Sequence, residues 1–266
     1  AEVWGFHQFS EIEKVHLFAC KRFLRVGVQT PNKMVYGDLG RYPLYVVATV
    51  KFVKYWLRLI TMPRERLPFK AFVMSCTMCD SGKKSWAFHL RNVLCENGFA
   101  DAWQQQSVGD VKMFLCTLKG RLIERFQQDW INGVNASDRF QFYAQFKRSF
   151  KIEPYVNCSQ LRCFKIAYVQ FRFGISPINF HRMRYRKGVT PQQMLCPVCR
   201  DVVEDENHIL FECPLYDDVR HDMSFFQTNQ MNDVVTLMNA NDDTSVMELS
   251  RFLYTVFKRR LQPVQF

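Results

Sequence analysis

Four residues in the last third of the chain have the types and spacing of a metal site. Cys196 and Cys199 form a C-x2-C pair, and His208 and Cys213 follow, which gives the pattern C-x2-C-x8-H-x4-C. Thiolate sulfur and imidazole nitrogen are the ligands that zinc takes in tetrahedral structural sites. Because four protein ligands leave no position for water, the pattern predicts one structural Zn²⁺. The alternative is a set of reduced, packed cysteines beside a chance histidine.

A second group of residues has nearly the same spacing. Cys76, Cys79, His89 and Cys95 read C-x2-C-x9-H-x5-C. Residues 85–95 are predicted to be helical, and a separation of six residues puts His89 and Cys95 on different faces of a helix. We therefore expect buried free cysteines here, with a second zinc site as the alternative. The other cysteines that lie in predicted helices are expected in the core: Cys20, Cys116, Cys158 and Cys163.

A basic segment, residues 180–188 (FHRMRYRKG), leads directly into the first Cys/His pattern. In an extended conformation its three alternating arginines would face one side. Arginine binds phosphate through two parallel hydrogen bonds, and an aromatic ring can stack on a base. The predicted nucleic-acid contacts are His181, Arg182, Arg184, Tyr185, Arg186 and Lys187. The alternative is a solvated run of charge.

The charge of the chain is unevenly distributed. The 266 residues include 36 Lys and Arg against 25 Asp and Glu, a net charge of +11. Residues 1–200 hold 31 of the basic and 13 of the acidic residues, whereas residues 201–266 hold 5 basic and 12 acidic ones. An excess of this size predicts a polyanionic partner such as RNA or DNA for the first three-quarters of the chain.

No complete active site is recognisable in the sequence. There is no H-E-x-x-H and no G-x-S-x-G, and no carboxylate pair is placed to hold two magnesium ions. The stretch Gly82-Lys83-Lys84-Ser85 resembles the end of a phosphate-binding loop, but Thr77 stands where the first glycine is required. We therefore predict that the chain is not an enzyme by itself.

The elements that must position these groups are predicted to be helices. Apolar residues recur at helical spacing, and capping or stop residues flank many segments. The predicted helices run from Ser10 to Gly27, over 42–60, from Ser85 to Gly98, from Ser107 through Trp130, onward from Ser137, and over 158–173, 214–226, 232–240 and 245–261. Loops are expected at Pro63, Pro68 and residues 80–82, and no alternating strands are recognisable.

The expected fold class is therefore mainly α, an irregular helical assembly followed by a small CCHC zinc knuckle and C-terminal helices. Three parts are predicted: a helical region at 1–177, the basic segment and zinc element at 178–226, and a helical tail at 227–266. A composition that is 48% hydrophobic excludes a disordered tail.

The most apolar stretch, residues 42–60, is expected to be a buried helix because Lys51, Lys54 and Arg58 interrupt it. The chain starts without a recognisable signal peptide, so a reducing intracellular setting is expected. It also starts without Met, so it could be a piece of a longer protein.

Several stretches within residues 1–220 match a known family: residues 2–6, 12–16, 35–44, 97–103, 181–186, 195–199, 204–208 and 211–216. The most specific of them combines HRMRYR, LCPVC, EDENH and FECPLY with the trailing Arg220. Taken together, these stretches resemble the C-terminal region of a LINE-type (non-LTR) retrotransposon reverse transcriptase, downstream of the polymerase.

This resemblance implies a helical region ending in a CCHC element that grips template RNA or target DNA. It implies Cys196, Cys199, His208 and Cys213 as the ligands of one structural zinc. It also implies the polymerase and endonuclease domains of a parent protein as partners, and action in the nucleus. The polymerase Asp-Asp motif and the endonuclease are absent from these residues, so the chain alone should neither polymerise nor cut.

Two other functions stay open at this point. Acidic residues surround the zinc pattern and could dock on a basic protein, including the polymerase: Asp201, Glu204, Asp205, Glu206, Glu212, Asp217 and Asp218. A zinc hydrolase is the third possibility, although four protein ligands argue against it.

Overall fold

The structure, a computed structural model, describes residues 2–3, 10–227 and 233–261. Its first helices are α1 (Ser10–Leu24), α2 (Asn32–Leu39), α3 (Leu44–Ile60), α4 (Leu67–Asp80), α5 (Trp86–Glu96), α6 (Ala100–Gln105), α7 (Val111–Asn135), α8 (Gln141–Phe146), α9 (Pro154–Asn157) and α10 (Arg162–Arg172). There follow α11 (Asn179–Met183), α12 (Asp217–His221), α13 (Ser224–Gln227), α14 (Val234–Met238) and α15 (Asp243–Arg260). In place of β-strands, these described residues form two isolated bridges, Leu39–Ile152 and Leu195–Val203. The predicted mainly α fold is confirmed.

The chain divides into two units. The first unit contains Ala1–Leu17 and Tyr42–Trp130, and the second contains Phe18–Arg41 and Ile131–Phe266. The predicted boundaries at residues 177 and 226 do not coincide with this division, since residues 178–226 fold within the second unit.

The core of the first unit forms around α3. Phe52 and Trp56 are completely buried, whereas Lys51 and Lys54 on the opposite face are exposed. The Trp56 indole N–H donates to Gln106 over 3.1 Å. The amphipathic pattern explains why this stretch is a core helix, as predicted. Across the described part of the chain, the helices are all too short or too polar to span a bilayer.

Some predicted helix boundaries are wrong for local reasons. Pro68 was expected in a loop but lies in the first turn of α4, where the missing N–H leaves no hydrogen bond unmade. The long helix α7 begins at Val111 and not at Ser107, and the Asp110 carboxylate accepts from the Met113 N–H over 2.6 Å. By contrast, Ser85 caps α5 as predicted, accepting from the Phe88 N–H over 3.2 Å.

Two further expected helices differ from the prediction. Residues 214–226 form a 3₁₀ turn, Pro214–Tyr216, followed by α12 and α13. The expected helix over 158–173 starts only at Arg162, and Cys158 is a buried cap residue after α9. In both cases the helix is interrupted inside a segment whose apolar residues keep helical spacing.

An ionic centre lies in the core of the second unit, around the buried Arg172 of α10. Its Nε donates to Asp38 over 2.9 Å, its Nη1 donates to the Met238 carbonyl over 2.8 Å, and its Nη2 lies 2.8 Å from Glu153. Glu153 is also paired with the buried Lys147. Because the two carboxylates and two cations balance, the charges can be buried together.

Aspartate 38 connects this centre to neighbouring elements. It accepts from the Tyr143 hydroxyl over 2.7 Å and from the Tyr155 hydroxyl over 2.9 Å. Gly40, at φ +58° after α2, brings the backbone so close to Ile152 that a Cβ there would lie 2.7 Å from the Ile152 nitrogen. The glycine therefore permits the approach that places Glu153 beside Arg172.

Candidate metal centre and the basic segment beside it

The four predicted ligands converge on one point. One possible ligand atom from each of Cys196, Cys199, His208 and Cys213 lies within 4.8 Å of the others. The Cys196 and Cys213 sulfurs are 3.9 Å apart. Cys196, His208 and Cys213 are buried and Cys199 is half-buried. This arrangement can hold a metal ion.

A tight turn presents the first two ligands. The Cys196 N–H donates to the Val202 carbonyl over 2.8 Å, and the Arg200 N–H donates to the Cys196 carbonyl over 2.9 Å. Arg200 has φ +68°, a left-handed conformation that reverses the chain directly after Cys199. Both thiols therefore lie on the same side of a small hairpin-like loop.

A π-helical turn, His208–Glu212, presents the other two ligands. The Asp205 carboxylate accepts from the His208 N–H over 2.9 Å at the start of the turn. At its end, the Cys213 N–H donates to the His208 carbonyl over 2.8 Å. The wider turn brings the residues at both of its ends to the metal centre.

The imidazole of His208 has one nitrogen available for a metal. Its Nδ1 lies 3.3 Å from the Glu212 carboxylate, while its Nε2 is buried without a hydrogen-bond partner among the described residues. A carboxylate accepts hydrogen bonds, so Glu212 favours the tautomer with the proton on Nδ1. The lone pair on Nε2 is then free to bind an ion, and this donor set fits a divalent metal.

The thiols of the cluster differ in acidity. Hydrogen bonds from Cys213 and from the backbone of Cys199 and Val198 lower the pKa of Cys196 to about 4. The shared hydrogen bond with Cys196 and burial raise the pKa of Cys213, and burial raises that of Cys199. The protein groups alone thus favour one thiolate, and a bound cation would supply the positive charge that the other two need.

Arg220 of α12 holds the turn that carries His208 and Cys213. Its guanidinium donates to the carbonyls of Cys213, of Ile209 (3.3 Å) and of Leu210 (3.5 Å). In the sequence, Arg220 stood out only as part of the resemblance, and this role was not predicted. The reason is that carbonyl recognition by a guanidinium leaves no pattern of residue types.

A buried carboxylate, Glu204, joins three segments around the metal centre. It accepts from the backbone N–H of Asn179 over 2.6 Å and from Arg260 of α15 over 2.7 and 2.8 Å. The Asn179 side chain in turn donates to the Leu195 carbonyl over 2.8 Å. This Glu204 clamp fixes α11 and α15 to the loop of Cys196.

Several acidic residues near the metal centre are paired within the chain. Glu204 binds Arg260, and Glu206 lies 2.6 Å from His181. Asp218 binds Arg259 through two hydrogen bonds of 2.5 and 2.6 Å. Less acidic surface is therefore available to a basic protein partner than the sequence alone indicated.

The basic segment does not have the extended conformation that would align its three arginines. Its first part is helix α11, and turns follow, so alternation does not align the three arginines. Arg182, Tyr185, Arg186 and Lys187 are exposed. These four side chains are accessible to a ligand.

The other two predicted contact residues support the segment from inside. His181 is buried, with Nδ1 2.7 Å from the Ser176 hydroxyl and Nε2 2.6 Å from Glu206. Burial lowers the pKa of His181, which keeps the ring neutral. Arg184 is half-buried, and its guanidinium lies over the Tyr185 ring, 4.8 Å from the ring centroid. His181 is thus buried, with both ring nitrogens hydrogen-bonded within the chain.

The second Cys/His group does not form a metal centre: the cluster around Cys196 is the one group of metal-ligating geometry in the described ranges 2–3, 10–227 and 233–261. Cys95 is exposed and Cys79 is buried, at different positions on α5 and α4. Burial raises the pKa of Cys76 to about 11, which disfavours the thiolate that a metal needs. The expectation of buried thiols is correct for Cys79 but wrong for Cys95.

The expectation that the remaining cysteines lie in the core is correct in part. Cys20 and Cys158 are buried, Cys163 is half-buried, and Cys116 is exposed on α7. Helical periodicity alone does not distinguish the inner face of α7 at Cys116, because that helix carries apolar residues on several sides.

Comparison of the chain with protein-family models, curated proteins and solved structures found no match. The resemblance to LINE-type reverse transcriptases therefore stays a prediction from the motifs.

Proposed function

We propose that the chain is a non-catalytic nucleic-acid-binding module whose Cys196, Cys199, His208 and Cys213 hold one structural Zn²⁺. Three sulfurs and one nitrogen in a compact, largely buried cluster are the donor set of structural zinc sites. Bound zinc would cross-link the two turns and neutralise their thiolates. The motif resemblance supports a place beside the polymerase and endonuclease of a retrotransposon protein that acts in the nucleus.

This proposal rests on the hydrogen bonds between helix α11, where the basic segment begins, and the metal element, the stretch from Cys196 to Cys213 that carries the four candidate ligands. Asn179 and His181 of α11 are hydrogen-bonded to Glu204 and Glu206, which lie between the second and third metal ligands. The metal element therefore holds α11 in place. Three cationic side chains stay exposed: Arg182 on α11, and Arg186 and Lys187 after its end.

These exposed groups suit a phosphate backbone. Guanidinium and ammonium groups displace the counterions condensed on a nucleic acid, and Tyr185 offers an exposed ring for a base. Binding is then strongest at low salt and weakens steeply as salt is added. Loss of the metal would loosen the turn that carries Glu204 and Glu206, and so the anchoring of α11.

The test is binding of the purified chain to single-stranded RNA, single-stranded DNA and duplex DNA over a salt series, before and after removal of metal by a chelator. We expect salt-dependent binding that weakens on chelation and returns when Zn²⁺ is added back. Absence of binding to all three nucleic acids at low salt would refute the proposal and would favour a protein-docking role.

Substitution of one metal-binding residue distinguishes the effect of losing the metal from side effects of the chelator. Cys199→Ala is expected to remove the one equivalent of zinc per chain and to weaken nucleic-acid binding. Cys95→Ala, an exposed cysteine outside the cluster, is the matched control and should keep both. Zinc content is measured by mass spectrometry. If Cys199→Ala changes neither the zinc content nor nucleic-acid binding, binding does not depend on zinc held by this cluster.

A further inference from the structure

We propose that a cleft beside the basic segment is a subsite for one nucleotide of a single-stranded nucleic acid. The cleft lies in the second unit, has a volume of about 270 Å³, and is lined by residues that include Gln29, Arg139, Gly174, Arg184 and Tyr185. The inference rests on the proposed nucleic-acid binding and assigns it a location that the sequence motifs did not indicate.

The basic groups of the cleft come from different parts of the chain. Arg139 donates to the Gln29 carbonyl over 3.1 Å, and the Tyr185 hydroxyl donates to the Arg139 carbonyl over 3.0 Å. Lys21 is outside the lining itself and donates to the carbonyl of Val28, between the lining residues Gly27 and Gln29, over 2.7 Å. Burial and the neighbouring Arg139 cation lower the pKa of Lys21. An anion in the cleft would relieve this repulsion between like charges.

Arg184 lines the cleft and is fixed by contacts within the chain. Its guanidinium lies between the rings of Phe180 and Tyr185, at 5.7 and 4.8 Å from their centroids, and it donates to the Gly174 carbonyl over 3.3 Å. The Nε–H of Arg184 is buried and has no hydrogen-bond partner among the residues that the structure describes, so the guanidinium keeps one unused donor behind the cleft wall. A phosphate oxygen is the acceptor that such a donor favours.

The carboxylate nearest to this wall is already engaged. Glu206 lies 4.0 Å from Nη1 of Arg184, but its closest partner is the His181 ring at 2.6 Å. Because the His181 ring is neutral, Glu206 keeps its charge and offsets that of Arg184, and the exposed Arg139 supplies the positive charge of the cleft.

The size and exposure of the cleft select the class of ligand. Sites for drug-sized ligands have volumes of about 300–1,000 Å³, so this cleft suits a single phosphate and sugar. Tyr185, which lines the cleft, is 53% exposed, and its ring can stack on one base. Because a base must be unpaired to stack on a side chain in this way, the ligand is a single strand and not a duplex.

The test uses the full chain loaded with zinc and fluorescent oligouridine RNA and oligothymidine DNA, with inorganic phosphate and uridine monophosphate as competitors. Arg139→Gln and Tyr185→Leu are each expected to weaken single-strand binding by roughly tenfold, the size of one phosphate or stacking contact. Arg148→Gln removes the same charge from an exposed position of the same unit outside the cleft and should change binding little. Tyr185→Phe keeps the ring and should bind like the wild type.

Two further measurements make the outcome decisive. Thermal melting and metal content will establish that each variant is folded, and photo-crosslinking of 4-thiouridine RNA to the unaltered chain should attach at Tyr185 or its neighbours. If the wild-type chain binds but both cleft variants match Arg148→Gln and the crosslink lies elsewhere, the cleft is not a subsite while the proposed function stands. If the wild-type chain binds no nucleic acid, both proposals fail.

Discussion

At the scale of single residues, the histidines of the second unit show how burial assigns different roles to one side chain. His208 has a buried nitrogen with no partner among the described residues, which suits a metal ligand. His181 has both nitrogens hydrogen-bonded, which suits a structural support. The sequence placed both in a functional region, but only the three-dimensional contacts of each ring distinguish ligand from support.

The neutral state of His181 gives a prediction for pH dependence. Burial lowers its pKa below the ordinary value of 6.5, so the folded state binds this proton less readily than the unfolded state. The contribution of His181 to stability is therefore present above about pH 6.5 and is lost as the pH falls below it. NMR titration of the imidazole, assigned by comparison with His181→Gln, should give a pKa below 6.5. A pKa at or above that value would show that the ring is stabilised as a cation, contrary to this account.

At the scale of elements, the Glu204 clamp ties α11 and α15 to the metal element. The side chains of Glu204 and Arg260 are only 1% and 10% exposed. Removing one member of a buried ion pair leaves the other charge uncompensated, which costs about 3–5 kcal/mol. Removal of either partner of such a pair therefore destabilises the fold, even where the intact pair adds little to the free energy of unfolding.

We therefore predict that Glu204→Gln lowers the free energy of unfolding by about 3 kcal/mol. Asp218→Asn is the matched control. Asp218 pairs with Arg259, the residue before Arg260, on the surface, where loss of a pair costs about 1 kcal/mol or less. Urea unfolding of both variants measures the difference. Equal, small effects of the two substitutions would mean that the clamp does not hold the elements together.

Many elements could be predicted from the sequence because their signals are local. Ser85 caps α5 through a bond to a residue three positions later, and α3 has a clear apolar face. Helix α4 was missed because Pro68 and an apolar composition without a distinct polar face concealed its periodicity. The ionic centre could not be predicted, since Arg172 and Asp38 are 134 positions apart and only the fold pairs them.

At the scale of the whole molecule, the structure shows which residues of the unevenly charged sequence are paired within the chain and which are exposed. Glu204 and Asp218 neutralise arginines inside the second unit, and Glu206 is hydrogen-bonded to the neutral ring of His181. The basic residues Arg182, Arg186 and Lys187 are exposed instead. The helical spacing of apolar residues predicted the fold class, and the C-x2-C-x8-H-x4-C spacing predicted the convergent cluster, but neither indicated which cations stay available to a polyanion.

The proposed function requires that the exposed cations of the basic segment bind phosphates while the metal element holds these side chains in place. Its most direct test is the salt dependence of single-strand binding by the zinc-loaded triple variant Arg182→Gln, Arg186→Gln, Lys187→Gln. The matched control is Arg148→Gln, Lys151→Gln, Arg162→Gln, which removes three exposed charges from the same unit. Because the triple variant can no longer neutralise three phosphates, the slope of log affinity against log salt should become shallower by about 2, at unchanged zinc content. A slope equal to that of the control variant would contradict the claim and place the nucleic-acid contact elsewhere.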